Sequence, residues 1–151
     1  MTLDELLLQR LADWGPASGR QEIRVSDDAG RTVTLVVDHL DVVGCRLDEV
    51  TLIGPAVADL PARAAAVAAR VTGLLEPLRS VETDRDAGVA LLRSSAPVRR
   101  GDVRSYYELL LRADGSAALR RYQAPAAGRR QAVAFSLTHE ALAKLVGDLA
   151  G

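Results

Sequence analysis

The chain has 151 residues with 48% hydrophobic and 26% charged side chains and a net charge of −1. These values exclude a disordered chain and suffice for one domain with its own core. A single cysteine, Cys45, excludes an internal disulfide and favours a reducing compartment.

The first half of the sequence predicts one helix and three strands. Thr2 and Glu5 fit a capping box at the start of the helix, and Gly15 followed by proline ends it. Its apolar face is formed by Leu3, Leu7, Leu11 and Trp14. Alternating apolar residues predict strands over residues 22–26, 31–38 and 45–53, the last with an irregularity near Asp48. Residues 39–44 fit a continuation of the second strand through a bulge at Gly44.

A second helix is predicted from an N-cap at Asp59, with Pro61 in its first turn, to about Glu76. Its apolar residues form a narrow seam with alternating spacings of four and three: Leu60, Ala64, Val67, Val71, Leu74 and Leu78. Such a seam is typical of a helix that lies across a sheet, and a dimer contact is the alternative.

The second half predicts five strands and a final helix. Short strands over residues 79–84 and 89–94 flank a turn, and residues 95–102 form an exposed loop. A hairpin over residues 103–123 and a third strand over residues 131–137 follow. Thr138 is the N-cap of the last helix, whose apolar face is formed by Leu142, Leu145, Val146 and Leu149.

The hairpin is the best-specified part of the chain because Asp114–Gly115 separates two apolar runs rich in tyrosine. A two-residue and a three-residue turn both fit, and the three-residue turn matches the side chains better. It places Tyr106 opposite Tyr122 and Glu108 opposite Arg120, the latter a favourable cross-strand pair. One face then faces the core with Tyr107, Leu109, Leu111, Ala117 and Leu119. The other face is mixed, with Tyr106, Glu108, Leu110, Arg112, Arg120 and Tyr122.

The predicted fold is a single α+β domain over residues 1–151, in the order α-βββ-α-βββββ-α, with a mostly antiparallel sheet and helices on one side. This order of elements resembles that of small acidic secretion-chaperone-like domains. The resemblance is one of topology, and this chain has more strands in its second half. It implies dimerisation and the binding of unfolded segments, and it identifies no site residue.

No catalytic or metal-binding pattern is present in the sequence. His39 and His139 have no partners at ligand spacing, so we expect no metal site and no cofactor. Cys45 has no base placed beside it and is interpreted as a small buried apolar residue. The series Glu82, Asp84, Asp86 and Gly88 departs from the calcium-loop pattern and is interpreted as a turn. We therefore expect a protein that is not an enzyme.

The charges are distributed unevenly along the chain. Residues 1–60 hold 5 Arg against 11 Asp and Glu, a balance of −6, whereas residues 90–130 hold 9 Arg against 3 acids, a balance of +6. Either the two regions pack together and their charges interleave, or one sign faces outward and recruits a partner.

All three tyrosines lie in the basic hairpin, so its mixed face is the candidate binding surface. The candidate partner-binding residues are Tyr106, Arg112, Arg120, Tyr122, Arg99 and Arg100. Exposed Tyr and Arg are typical anchors of protein interfaces, so we expect a protein partner, with a homodimer as the expected state.

Two other functions use the same fold. Tyrosines on a basic sheet can stack the bases of single-stranded nucleic acid, although the negative net charge and the absence of a known RNA-binding motif argue against this. A cavity between sheet and helices would make the chain a small-molecule carrier. The acidic N-terminus lacks the basic region of a signal peptide, and no apolar run approaches the about 20 residues that span a bilayer. We therefore expect a cytoplasmic protein that does not bind membranes.

Overall fold

A computed structural model describes residues 1–151. Its elements in chain order are α1 (Leu3–Trp14), β1 (Ala17–Ser26), β2 (Thr32–Leu40), β3 (Gly44–Ile53), α2 (Leu60–Arg70), β4 (Leu78–Asp84), β5 (Val89–Ser94), β6 (Val98–Arg100), β7 (Val103–Arg112), β8 (Ser116–Ala124), β9 (Gln131–Val133), β10 (Phe135–Thr138) and α3 (His139–Ala150). The predicted α+β class and order of elements are confirmed. Two additional short strands are present, because β6 forms within the expected loop and a break at Ala134 divides the last predicted strand.

All ten strands belong to one antiparallel sheet. Seven lie side by side in the order β1-β2-β3-β8-β7-β5-β4, while β10 pairs with β3, β6 with β7 and β9 with β8. The hairpin β7–β8 therefore lies in the middle of the sheet and is joined to the N-terminal strands through β3. We call the face covered by the helices the inner face and the opposite one the outer face.

One hydrophobic core joins the inner face to all three helices. All but one of the predicted core positions of α1 and α3 are buried. The buried ones are Leu3, Leu7, Leu11, Leu142, Leu145, Val146 and Leu149. The exception is Trp14, which the spacing places on the core face but which is 40% exposed. Its indole Nε1 instead donates a hydrogen bond to Oε1 of Gln21 at 2.7 Å. At the edge of the core, the ring can pack on one side while its polar N–H finds an acceptor.

The predicted register of the hairpin is confirmed. Tyr106 stands opposite Tyr122 and Leu109 opposite Leu119. Gly115 has a φ of 95°, a conformation that favours glycine. A Cβ there would lie 2.3 Å from the carbonyl oxygens of Gly54 and Pro55, so the turn is also packed against the chain that follows β3.

Helix α2 is shorter than predicted, because it ends at Arg70 rather than near Glu76. Val71 leaves the helical conformation, and the following threonine and Gly73 have low helix propensity. The seam is buried against the sheet at Leu60, Ala64 and Val67, so it serves the core of the chain itself. The residues between the helix end and β4 include Glu76, which is buried.

The N-terminal strands differ from the prediction mainly at their ends. Strand β1 begins at Ala17, earlier than predicted. Residues 39–44 do not form a continuous strand with a bulge at Gly44, because β2 ends at Leu40 and a turn at Asp41 separates it from β3. The turn is favoured because the Asp41 carboxylate accepts hydrogen bonds from the backbone N–H groups of Val43 and Gly44, both at 2.8 Å. The irregularity near Asp48 is confirmed by the register shift between β2 and β3.

Candidate functional site

The predicted partner-binding residues lie on or beside the outer face, but the structure gathers only some of them. The rings of Tyr106 and Tyr122 have centroids 6.0 Å apart, and Arg99 on β6 lies beside Tyr106. Arg112 lies at the far end of β7, roughly 20 Å along the strand from Tyr106. It therefore cannot share a small site with the tyrosines.

Of the other two predicted residues, Arg100 lies outside the tyrosine cluster, whereas Arg120 lies beside Tyr122 on β8. Arg100 ends β6 beside the turn into β7. Arg120 is exposed on β8, and its Nε donates a hydrogen bond to the carboxylate of Glu49 on β3. This hydrogen bond is the first cause of the raised pKa of Arg120. The predicted ion pair between Glu108 and Arg120 is thus wrong, although the two residues stand opposite each other as expected.

Glu108 instead joins two arginines that sequence spacing did not indicate. Arg93 on β5 donates from Nε to Oε2 of Glu108 at 3.0 Å, and Arg130 donates from its two terminal nitrogens at 2.5 and 3.3 Å. Burial raises the pKa of Glu108, but these hydrogen bonds outweigh it and leave the pKa below its ordinary value. The carboxylate is therefore charged at neutral pH and fixes both guanidinium groups.

Tyr106 is not the exposed anchor that the sequence indicates, since it is only 7% exposed. The guanidinium carbons of Arg93 and Arg104 lie 5.6 and 5.9 Å from its ring centroid, and Nη1 of Arg130 lies 3.4 Å from its hydroxyl. Arg130 also lies 3.9 Å from the ring centroid of Tyr122, a cation–π distance. The tyrosines therefore support a layer of arginines, and the arginines form the surface.

Four arginines converge at one end of this layer. Arg79, Arg93, Arg99 and Arg104 line a pocket of about 270 Å³ together with Ser95 and Tyr106. No acidic side chain lines this pocket, and Arg79, Arg99 and Arg104 have no carboxylate within ion-pair distance. We call it the arginine pocket. It is built by strands β4 to β7 and the loop between β5 and β6.

The acidic and basic regions of the chain interleave only slightly. Arg120–Glu49 is the one ion pair that joins residues 1–60 to residues 90–130, whereas Glu108 neutralises arginines of its own region. Other acids of the first region pair locally, as Asp38 does with Arg46 and Asp48 with Arg20. The positive charge of the arginine pocket therefore faces outward.

A second ion pair is buried on the inner face, and no spacing between its two residues in the sequence indicates it. Glu76 is 4% exposed and accepts hydrogen bonds from Arg121 at 3.0 and 3.4 Å and from the hydroxyl of Ser94 at 2.9 Å. The Ser94 oxygen in turn accepts the backbone N–H of Tyr107, and Arg121 lies 4.3 Å from the Tyr107 ring centroid. The one sequence signal was the hairpin register, which places Arg121 on the core face opposite Tyr107.

The histidines and the cysteine do not form a charge-relay arrangement. Cys45 lines a surface pocket of about 440 Å³ with His39 and Asp41, and Nε2 of His39 lies 4.0 Å from the Asp41 carboxylate. Burial, with a smaller contribution from Asp41, raises the pKa of the Cys45 thiol to about 11. Because cysteine attacks as a thiolate, this environment disfavours a nucleophilic role.

His139 begins α3 and is half-buried, and its Nε2 atom has no hydrogen-bond partner. No group of three or more His, Cys, Asp or Glu side chains has the arrangement of a metal site. The calcium-like series runs from the end of β4 into the β4–β5 turn, where the Asp84 carboxylate accepts the backbone N–H of Ala87 at 3.0 Å. None of the three helices combines the length and the apolar sequence required to cross a bilayer.

No family model, curated protein or solved structure matches this chain. The geometry of the outer face is therefore what supports a functional proposal.

Proposed function

We propose that this chain is a non-catalytic cytoplasmic interaction domain that binds an acidic segment of a partner protein at the arginine pocket and its rim. The observation that carries the proposal is the unpaired positive charge of Arg79, Arg99 and Arg104, which line one pocket. The neighbouring outer-face arginines Arg93, Arg130 and Arg120 are instead paired with Glu108 or Glu49. Clustered arginines without acids are the usual recognition surface for acidic motifs.

Part of the surface, at Arg93 and Arg104, is held in place before any partner arrives, which lowers the ordering cost of binding there. Glu108 holds Arg93, and the Tyr106 ring supports both Arg93 and Arg104. Arg99 and Arg104 stand opposite each other on the paired strands β6 and β7. A partner carboxylate would therefore meet guanidinium groups with few remaining orientations. The tyrosines contribute by support rather than by direct contact.

The same observations disfavour binding of single-stranded nucleic acid. Base stacking requires an open aromatic face, and the Tyr106 and Tyr122 rings each have a guanidinium within cation–π distance. The expected homodimer remains part of the proposal, with an interface other than the α2 seam, and sedimentation equilibrium of the full chain tests it. A monomer mass at all concentrations would remove it.

The proposal is tested by fluorescence anisotropy with a labelled decaglutamate peptide at low ionic strength. We expect saturable binding that weakens as salt is added, because screening acts on exposed charges. The triple variant Arg79→Ala, Arg99→Ala, Arg104→Ala should lose most of this binding. Arg85→Ala, in the exposed turn at the opposite end of β4, is the matched control and should bind as wild type does.

Equal binding by the triple variant and wild type would refute the proposed site. Absence of decaglutamate binding by the wild-type chain would refute the proposed function. A single-stranded oligonucleotide of mixed sequence provides the comparison, and tighter binding of that probe than of decaglutamate would also count against a protein partner.

A further inference from the structure

The arginine pocket contains two pairs of like charges in direct opposition. Arg79 on β4 stands opposite Arg93 on β5, and Arg99 on β6 stands opposite Arg104 on β7. Like charges directly opposite each other on neighbouring strands destabilise a sheet. Only Arg93 has a carboxylate partner, Glu108, which it shares with Arg130. An anion between the two pairs would relieve the repulsion.

The arrangement of the donors indicates the shape of that anion. The four guanidinium groups come from four different strands, and the hydroxyl-bearing Ser95 lies in the loop between β5 and β6. A carboxylate has two oxygens in one plane, so the donors that it accepts from must lie near that plane. A phosphoryl group has three terminal oxygens that point in different directions and a charge near −2, so it can accept from several arginines at once.

The size of the pocket limits what the phosphoryl group can be attached to. Its volume of about 270 Å³ lies just below the range of roughly 300–1,000 Å³ that is usual for sites enclosing a drug-sized ligand. A phosphate ion or the end of a phosphorylated side chain fits this size better than an enclosed nucleotide does. The basic rim outside the pocket would then contact the segment that carries the phosphorylated residue.

We propose that the arginine pocket binds the phosphoryl group of a phosphorylated side chain in the partner segment. This inference rests on the proposed function and adds to it the chemical class that the pocket selects. Acidic residues on either side of the phosphorylated residue would bind along the rim, near Arg100.

The test compares three labelled peptides that differ only at one central residue, which is Ser, Glu or phosphoserine, with glutamates on both sides. Anisotropy titrations of the full chain should show binding of the phosphoserine peptide about tenfold tighter than the Glu peptide, which corresponds to one additional charge-assisted hydrogen bond. Inorganic phosphate should compete with the phosphoserine peptide only weakly, because it makes no rim contacts.

A charge-preserving variant separates this inference from the proposed function. Arg79→Lys with Arg99→Lys keeps both positive charges but removes the planar forks. We expect the affinity of this variant for the phosphoserine peptide to fall much further than its affinity for the Glu peptide, so that the preference for phosphoserine is lost, while circular dichroism shows an unchanged fold. Arg85→Lys is the matched control and should keep the preference.

The contradicting outcomes differ for the two proposals. Equal affinity of wild type for the Glu and phosphoserine peptides would overturn the phosphoryl site and leave the acidic-segment function standing. Competition by inorganic phosphate as strong as that by the phosphoserine peptide would overturn the assignment to a phosphorylated partner. Failure to bind any of the three peptides would overturn both proposals.

Discussion

The buried ion pair between Glu76 and Arg121 offers the most stringent test of the inner face. Both side chains are less than one-tenth exposed, and the Glu76 carboxylate accepts from Arg121 and from Ser94. The substitution Glu76→Leu places an apolar side chain of similar size at this position but leaves the Arg121 charge and the Ser94 hydroxyl without their acceptor. Removal of one partner of a buried pair costs about 3–5 kcal/mol. We expect a loss of unfolding free energy in that range.

The double variant Glu76→Leu, Arg121→Met distinguishes a buried charge from a general packing defect. Replacing both partners by apolar side chains leaves no uncompensated charge, and the methionine can still pack against the ring of Tyr107. We expect the double variant to recover most of the loss and to stay below wild type by the cost of the unpaired Ser94 hydroxyl, about 1 kcal/mol.

Urea denaturation followed by circular dichroism measures the unfolding free energy of the two variants. An unchanged slope of unfolding free energy against urea concentration shows that both unfold from the same compact state. A cost below about 1 kcal/mol for Glu76→Leu would refute the reasoning, because it would mean that the Arg121 charge is solvated. Failure of Arg121→Met to rescue the single variant would point to packing alone.

Two further predictions concern the hairpin. Because the folded-state pKa of Glu108 is lowered, its charge adds stability that is fully present above the ordinary Glu pKa of about 4.3 and is lost as the pH falls through the folded-state pKa. Glu108→Gln should therefore be less stable than wild type at pH 7. Urea titrations should show that the difference in unfolding free energy between the two proteins shrinks in acid, and a difference that stays constant with pH would contradict a lowered pKa of Glu108. Gly115→Ala places a Cβ against the backbone oxygens of Gly54 and Pro55 and should cost at least about 2 kcal/mol. Gly30→Ala, which has a similar φ of 83° in open space, should cost clearly less, and equal midpoints would argue against the close packing of the turn.

The parts of the fold that could be predicted are those specified by neighbours in sequence. Asp114–Gly115 and the alternation on either side sufficed to fix the hairpin register, and Thr138 with its apolar face sufficed to place α3. The end of α2 could not be placed, because the seam spacing continues through Val71 after the helix has ended. The N–H of Val71 still donates to the Val67 carbonyl, but beyond it Leu78 keeps the apolar spacing because it is buried in the core and not because the helix continues.

The candidate site was only partly predictable for the same physical reason. The outer face of the hairpin follows from its register, but the partners of its charges come from elsewhere in the chain. Glu108 stands opposite Arg120 in the hairpin, as predicted, yet Arg93 and Arg130 are the residues that bind its carboxylate. The turn between β4 and β5 predicts that Arg79 lies near Arg93, but both reach the pocket only through the pairing of β5 with β7. Tertiary pairing of this kind leaves no local signal in the sequence.

The central claim is that the unpaired arginines of the pocket receive an acidic partner segment. The most direct measurement is a titration of the labelled full chain with decaglutamate, followed by heteronuclear NMR of the arginine side-chain Nε–H groups. We expect the resonances of Arg79, Arg99 and Arg104 to shift in a saturable manner, while those of Arg85 and the Glu49-bound Arg120 stay in place. Shifts spread evenly over all exposed arginines, or confined to residues outside the pocket, would contradict the claim.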